Sequence, residues 1–116
     1  MSTIELQALL GVAKRVRKTQ EHNKLIIKEG LERGLTMDEI THGASHLKGN
    51  SAYQSVSIQS AYNNSEVSDL NRFYAVCYNL EKEGLVIIKK YRKYKTTIRL
   101  TLKGMNYLKK LKSMNK

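Results

Sequence analysis

The 116-residue chain is sized for one domain with a small core, held without disulfides or a structural metal. Its single cysteine cannot close an internal disulfide, which suits a reducing compartment, and no apolar run approaches the length of a membrane span. The formal net charge of +11 is unevenly placed: residues 1–84 hold ten Lys/Arg against ten Asp/Glu, whereas residues 85–116 hold eleven Lys/Arg and no acid. A soluble, cytoplasmic protein with a polyanionic partner is the expectation. No Gly-rich phosphate loop, carboxylate pair or nucleophile motif is present, so neither enzymatic activity nor a cofactor is expected.

Taken in chain order, Ser2 and Glu5 have capping-box spacing, and Leu6, Leu9 or Leu10, Ala13 and Val16 form an apolar stripe, which predicts a helix over about 3–18. Thr19 offers a cap for a second helix over about 20–33, with Leu25, Ile26 or Ile27, and Leu31 inward and Gly34 closing it. Nothing breaks the chain at Thr19, so one rod from Thr3 to Arg33 is the alternative. Thr36 and Glu39 form a second capping box, flanked by Leu35 and Ile40 at the positions of a hydrophobic staple. A short helix is predicted from Met37, with Ile40, Ala44 and Leu47 on one face until Gly49. His42 and His46, four apart on it, have metal-ligand spacing but no third ligand, and no metal site is expected.

Residues 49–64 read GNSAYQSVSIQSAYNN and carry no dominant period. The alternation Val56, Ser57, Ile58 suits a short strand, while Gln54 to Tyr62 suits an extra helical turn. Tyr53, Gln54, Gln59 and Tyr62 are candidate contacts for a ligand. Asn64, Ser65 or Ser68 then caps a helix over about 66–83, whose Leu70, Phe73, Cys77 and Leu80 recur at helical spacing while Arg72, Ala75, Asn79 and Lys82 point away. Gly84 stops it. Two β-rich runs, LVIIKKY and TTIRLTL, flank the polar connection RKYK and predict a hairpin. Thr101 caps a last helix with Met105, Leu108 and Leu111 apolar and Lys109, Lys110 and Lys112 solvated.

The run from Leu80 to Val86 reads LEKEGLV, and the run from Leu100 to Gly104 reads LTLKG. In this order and spacing they resemble the winged helix-turn-helix family, over roughly Lys24 to Leu111. The resemblance implies a mainly α chain with a small β-hairpin (α+β) forming one domain over 1–116. Within it, residues 36–84 would be the helix-turn-helix, with a long insertion at 49–64 where a turn of a few residues is usual. Residues 85–102 would be the wing and 103–113 a C-terminal helix, while the N-terminal helix over 1–18 would serve dimerisation. It also implies a sequence-specific double-stranded DNA-binding protein, most simply a homodimeric repressor acting by occlusion.

In that reading the helix over 66–83 enters the major groove. Ser68 would hold a phosphate near the helix start, Asn71 would address adenine and Arg72 guanine, with Ala75 on the same face. Tyr74 and Tyr78 lie beside the core face and are read as packing residues. In the hairpin, Lys89, Lys90, Tyr91, Arg92, Lys93, Tyr94, Lys95 and Arg99 interleave cations with aromatics, which fits phosphate or minor-groove contact. A solvated basic strand that resists edge pairing is the bland alternative. Three rivals stand beside the regulator: a plasmid or viral partition adaptor that loads a segregation motor, an interaction module for acidic proteins, and a binder of RNA or single strands through Tyr91 and Tyr94.

Overall fold

Ser2 opens the longest element, and the capping box forms as its spacing predicts: the Ser2 hydroxyl accepts from Glu5 N–H and the Glu5 carboxylate accepts from Ser2 N–H. The computed structural model describes residues 1–42, 47, 50–91 and 95–114, apart from the side chain of residue 114. Helix α1 runs unbroken over Thr3–Glu32, so the single rod holds and the separate helices over 3–18 and 20–33 do not form. Thr19 caps nothing. Its hydroxyl donates to the Arg15 carbonyl one turn back, at 3.1 Å, as a mid-helix threonine does. Gly34, at φ 84°, ends the rod: Leu35 N–H donates to Gly30 O and Gly34 N–H to Leu31 O, the paired bonds of a left-handed C-terminal cap.

Only the first half of α1 enters the core, through Ala8, Leu9, Val12 and Val16. Beyond Asn23 the helix runs past the body, and Leu25 and Leu31, expected inward, stand about half exposed. Helix α2, Met37–Thr41, has the expected capping box from Thr36 and Glu39 and folds back so that Ile40 covers Gly30. The backbone leaves the helix at His42, with ψ 119°, so the predicted continuous helix towards Gly49 does not form; Ala44, His46 and Gly49 lie outside the described residues. Leu47 is buried.

The stretch read as an insertion is built. Strand β1, Val56–Ser57, leads directly into helix α3, Ile58–Asn63, so the strand and the helical turn both occur, in series. Ser57 serves both: it pairs with Thr97 in the sheet and its hydroxyl caps α3 by accepting from Ser60 N–H at 3.1 Å. Helix α4, Leu70–Lys82, starts later than the expected Glu66 because Asp69, rather than Asn64, Ser65 or Ser68, caps it and accepts from Asn71 N–H at 3.1 Å. Ser65 instead closes the preceding turn on Tyr62 O at 2.8 Å. The brace next to α4 is therefore α3, joined to it by residues 64–69, while α2 packs on α1.

Strands β2, Val86–Tyr91, and β3, Lys95–Leu100, form the expected hairpin, and β1 adds to β3 to give an antiparallel sheet of order β1-β3-β2. Helix α5, Leu102–Met114, follows at once, capped by Thr101 through Gly104 N–H at 3.0 Å. The chain is thus mainly helical with a small sheet. Its core collects Leu9 and Val12 of α1, Ile58 and Ala61 of α3, Phe73, Cys77 and Leu80 of α4, and Val86, Ile98 and Leu100 of the sheet. Each such large side chain contributes roughly 1.5–3 kcal/mol by leaving water.

Candidate functional site

Helix α4 is positioned by its apolar face. Phe73, Cys77 and Leu80 are fully buried, Val76 joins them, and Leu70 is half-buried at the helix start. Tyr62 of α3 holds the other end of this contact. Its ring meets Phe73 edge-on at 5.6 Å, and its hydroxyl donates to Ser68 O at 3.1 Å, which sets the connector before α4. Tyr62 is thereby a structural residue and not a free contact. Gln54 is also engaged: its amide bonds to Asn50 and to Ser51 O, and Asn50 in turn accepts from the buried Asn23 of α1. Asn23 escaped notice in the sequence because one polar residue in a long helix carries no periodic signal. Tyr53 and Gln59 remain exposed.

The opposite side of α4 is open. Asn71, Arg72, Ala75, Asn79 and Lys82 are all exposed, and at 100° per residue they fall within about one quadrant of the helix; Ser68 is also exposed but precedes the Asp69 cap and lies outside α4. From Asn71 to Lys82 this stripe is roughly 16 Å long at 1.5 Å per residue. It contains no carboxylate. Of the acids nearby, Asp69 caps the helix and Glu81 turns to the sheet, where its Oε2 accepts from Ile88 N–H at 2.8 Å, while Glu66 and Glu83 stand exposed beyond the two ends of the stripe.

That bond fixes the hairpin against α4. Strand β2 is an outer strand, and Glu81 satisfies one of the main-chain donors on its free edge. One turn before Glu81, the Tyr78 ring lies 5.6 Å from Lys90 Nζ, a cation–π contact between the same two elements. Tyr74 packs on the core. Both tyrosines thus serve the joint between α4 and the hairpin or the core, as their place beside the apolar face predicts.

The pairing register divides the basic hairpin residues into two groups. Val86, Ile88 and Lys90 share a face with their partners Leu100, Ile98 and Thr96, and this face carries the core. Lys89, Tyr91, Lys95 and Arg99 lie on the other face with Ile87 and Thr97. Lys89, Tyr91 and Lys95 are exposed and Arg99 is half-buried. Arg92, Lys93 and Tyr94 lie outside the described residues. Of the eight hairpin candidates, then, Lys90 stands beside α4, and four point away from it.

The two motifs meet at the foot of the hairpin. Gly84, at φ 78°, ends α4 with Leu85 N–H on Leu80 O and its own N–H on Glu81 O. Thr101 then donates its hydroxyl to Gly84 O at 2.6 Å and its N–H to Leu85 O at 3.1 Å, and Lys103 Nζ reaches Glu83 O at 2.7 Å. These bonds clamp the end of α4 to the start of α5. Gly104 is needed there because a Cβ would strike the Leu85 carbonyl oxygen.

Cys77 is not a reactive group. It is fully buried among apolar neighbours, and burial pushes its thiol up to about 12. Among the described residues no three His, Cys, Asp or Glu side chains gather in a way that could hold a metal ion, and no helix is long and apolar enough to cross a membrane. No protein-family model, curated protein or solved structure matches the chain.

Proposed function

We propose that this chain is a winged helix-turn-helix protein that binds double-stranded DNA in a sequence-specific manner, as a homodimeric transcriptional regulator acting in the cytoplasm. Helices α3 and α4 form the helix-turn-helix, α4 reads the major groove, and β2 with β3 is the wing. The carrying observation is the acid-free exposed stripe of α4 lying beside a basic hairpin to which it is joined through Glu81–Ile88 and Tyr78–Lys90. A major groove about 12 Å wide admits one such helix. On it Arg72 suits the O6 and N7 acceptors of guanine and Asn71 the N7 and N6 edge of adenine. Lys82 and Lys90 neutralise phosphates along the flank. A dimer is supported by the exposed Leu25 and Leu31 in the distal half of α1 and Met37 at the start of α2.

The test is titration of random and selected duplexes at low and moderate salt. Binding that weakens steeply with salt is expected, together with a twofold-symmetric selected site. Absence of duplex binding at low salt overturns the reading. A row of repeated sites filled cooperatively, in place of one operator, would assign the same module to partition. Single-stranded DNA or RNA is a second reading favoured by one observation, the exposed Tyr91 between Lys89 and Lys95 on the outward face of the hairpin. Tighter binding to unpaired strands than to duplex decides for it.

A further inference from the structure

A groove of about 460 Å³ runs between the first half of α1 and helix α5. Its walls are apolar: Leu6, Leu10 and Ala13 from α1, Leu108 and Leu111 from α5, with Leu100 of β3 also lining it. The charged residues that line it, Arg17, Lys109 and Lys112, are all cations, and all three are exposed. The stripe on α1 follows helical spacing, and Ala52 of the connection before β1 adds to the lining. Its volume falls in the range of small-molecule sites, which are apolar with a few polar groups that set orientation.

We infer that this groove binds an amphipathic anion, namely an aliphatic carboxylate with a medium-length chain. The hydrocarbon lies along Leu10, Ala13 and Leu108, and the carboxylate sits among Arg17, Lys109 and Lys112. The charge pattern selects this occupant. A second copy of the chain would bring the same cations against these, and like charges drawn into an apolar contact oppose docking. Nucleic acid would meet the cations but not the leucines. A neutral hydrocarbon would fill the apolar walls but gain nothing from the three exposed cations. A molecule with one apolar and one anionic end engages both the apolar walls and the cations that line the groove. This site is separate from the α4 and hairpin surface and does not rest on the DNA reading.

The experiment uses the full chain and dodecanoate below its micellar concentration, followed by calorimetry. Saturable one-to-one binding is expected, weakening about tenfold for each two carbons removed, since every buried methylene contributes a constant increment. Dodecanol is expected to bind at least tenfold more weakly than dodecanoate. Lys109→Gln with Lys112→Gln should weaken dodecanoate about tenfold, and Leu10→Gln, at a half-exposed position that the fold does not need, should weaken it further. The control Lys89→Gln with Lys95→Gln removes the same charge from the hairpin and should leave the affinity unchanged. Equal affinity for dodecanol, no dependence on chain length, or equal loss in the hairpin control would each overturn the proposal. So would a dimer that Leu10→Gln dissociates while dodecanoate binds neither form, because the groove would then be a contact between copies.

Discussion

Glu81 accepts the main-chain N–H of Ile88 at 2.8 Å and so makes one carboxylate of α4 the fastener of the outer strand. The bond has two effects. It removes an acid from the neighbourhood of the exposed stripe, and it orients the hairpin relative to the helix by a contact that two independent surface elements would lack. Replacing Glu81 by Ala leaves a strand-edge donor to water and is expected to cost about 1 kcal/mol, below the roughly 1.5–3 kcal/mol of a buried bond to a charged acceptor because Glu81 is half-exposed. Urea unfolding measures the cost. Amide exchange at Ile88 should accelerate in the same variant while exchange at Phe73 keeps its protection.

Lys90 and Arg99 separate two ways of using the hairpin. If one duplex lies against α4, Lys90→Gln lowers its affinity and reduces the salt slope by about one, whereas Arg99→Gln on the opposite face changes it less. Fluorescence titration at several salt concentrations reads both quantities. A larger effect from Arg99 would place the polyanion on the outward face of the sheet.

Arg72→Ala is expected to relax sequence choice at one base pair, with a loss of about 1–3 kcal/mol on the preferred site and little change on random duplex. Lys82→Ala should weaken both duplexes equally. Comparing selected sites of the two variants distinguishes base reading from phosphate contact.

Gly104→Ala should be the more damaging of two glycine substitutions. At Gly104 the new Cβ meets the rigid Leu85 carbonyl, so α5 must shift, at a cost of about 1–3 kcal/mol. At Gly34 a Cβ has open space and only the φ of 84° opposes it, at about 1–2 kcal/mol. Thermal and urea unfolding give the order. At Gly104 the shift should also release the Thr101 N–H from Leu85 O, detectable as faster amide exchange at Thr101.

Cys77 provides a test of the core that depends on pH. Burial raises its thiol from the ordinary 9.0 to about 12, so the folded chain holds this proton more tightly than the unfolded chain does. The stabilising contribution is complete below pH 9 and falls as pH rises from 9 towards 12. At pH 8 a disulfide reagent should react with the native protein only at the rate of unfolding, and at once in denaturant. The stability gap between the natural chain and Cys77→Ala should narrow between pH 8 and pH 10.

The sequence by itself determined the features whose causes lie within one or two turns. The capping boxes at Ser2 and Thr36, the glycine stops at 34 and 84, the buried face of Phe73, Cys77 and Leu80, and the hairpin were all legible, because caps, positive φ and periodicity are local. Tertiary structure decided the rest. Val56 and Ser57 are too short to declare a strand and become one only by pairing with Ile98 and Thr97. That pairing then seats α3 beside α4, in place of the better-signalled α2. Leu25 and Leu31 have the spacing of core residues, yet they stand about half exposed and none of the described elements buries them, since burial depends on what packs there and not on period alone. The register likewise split the basic hairpin into two faces, which composition could not foretell, because a strand assigns sides residue by residue once its partner is set.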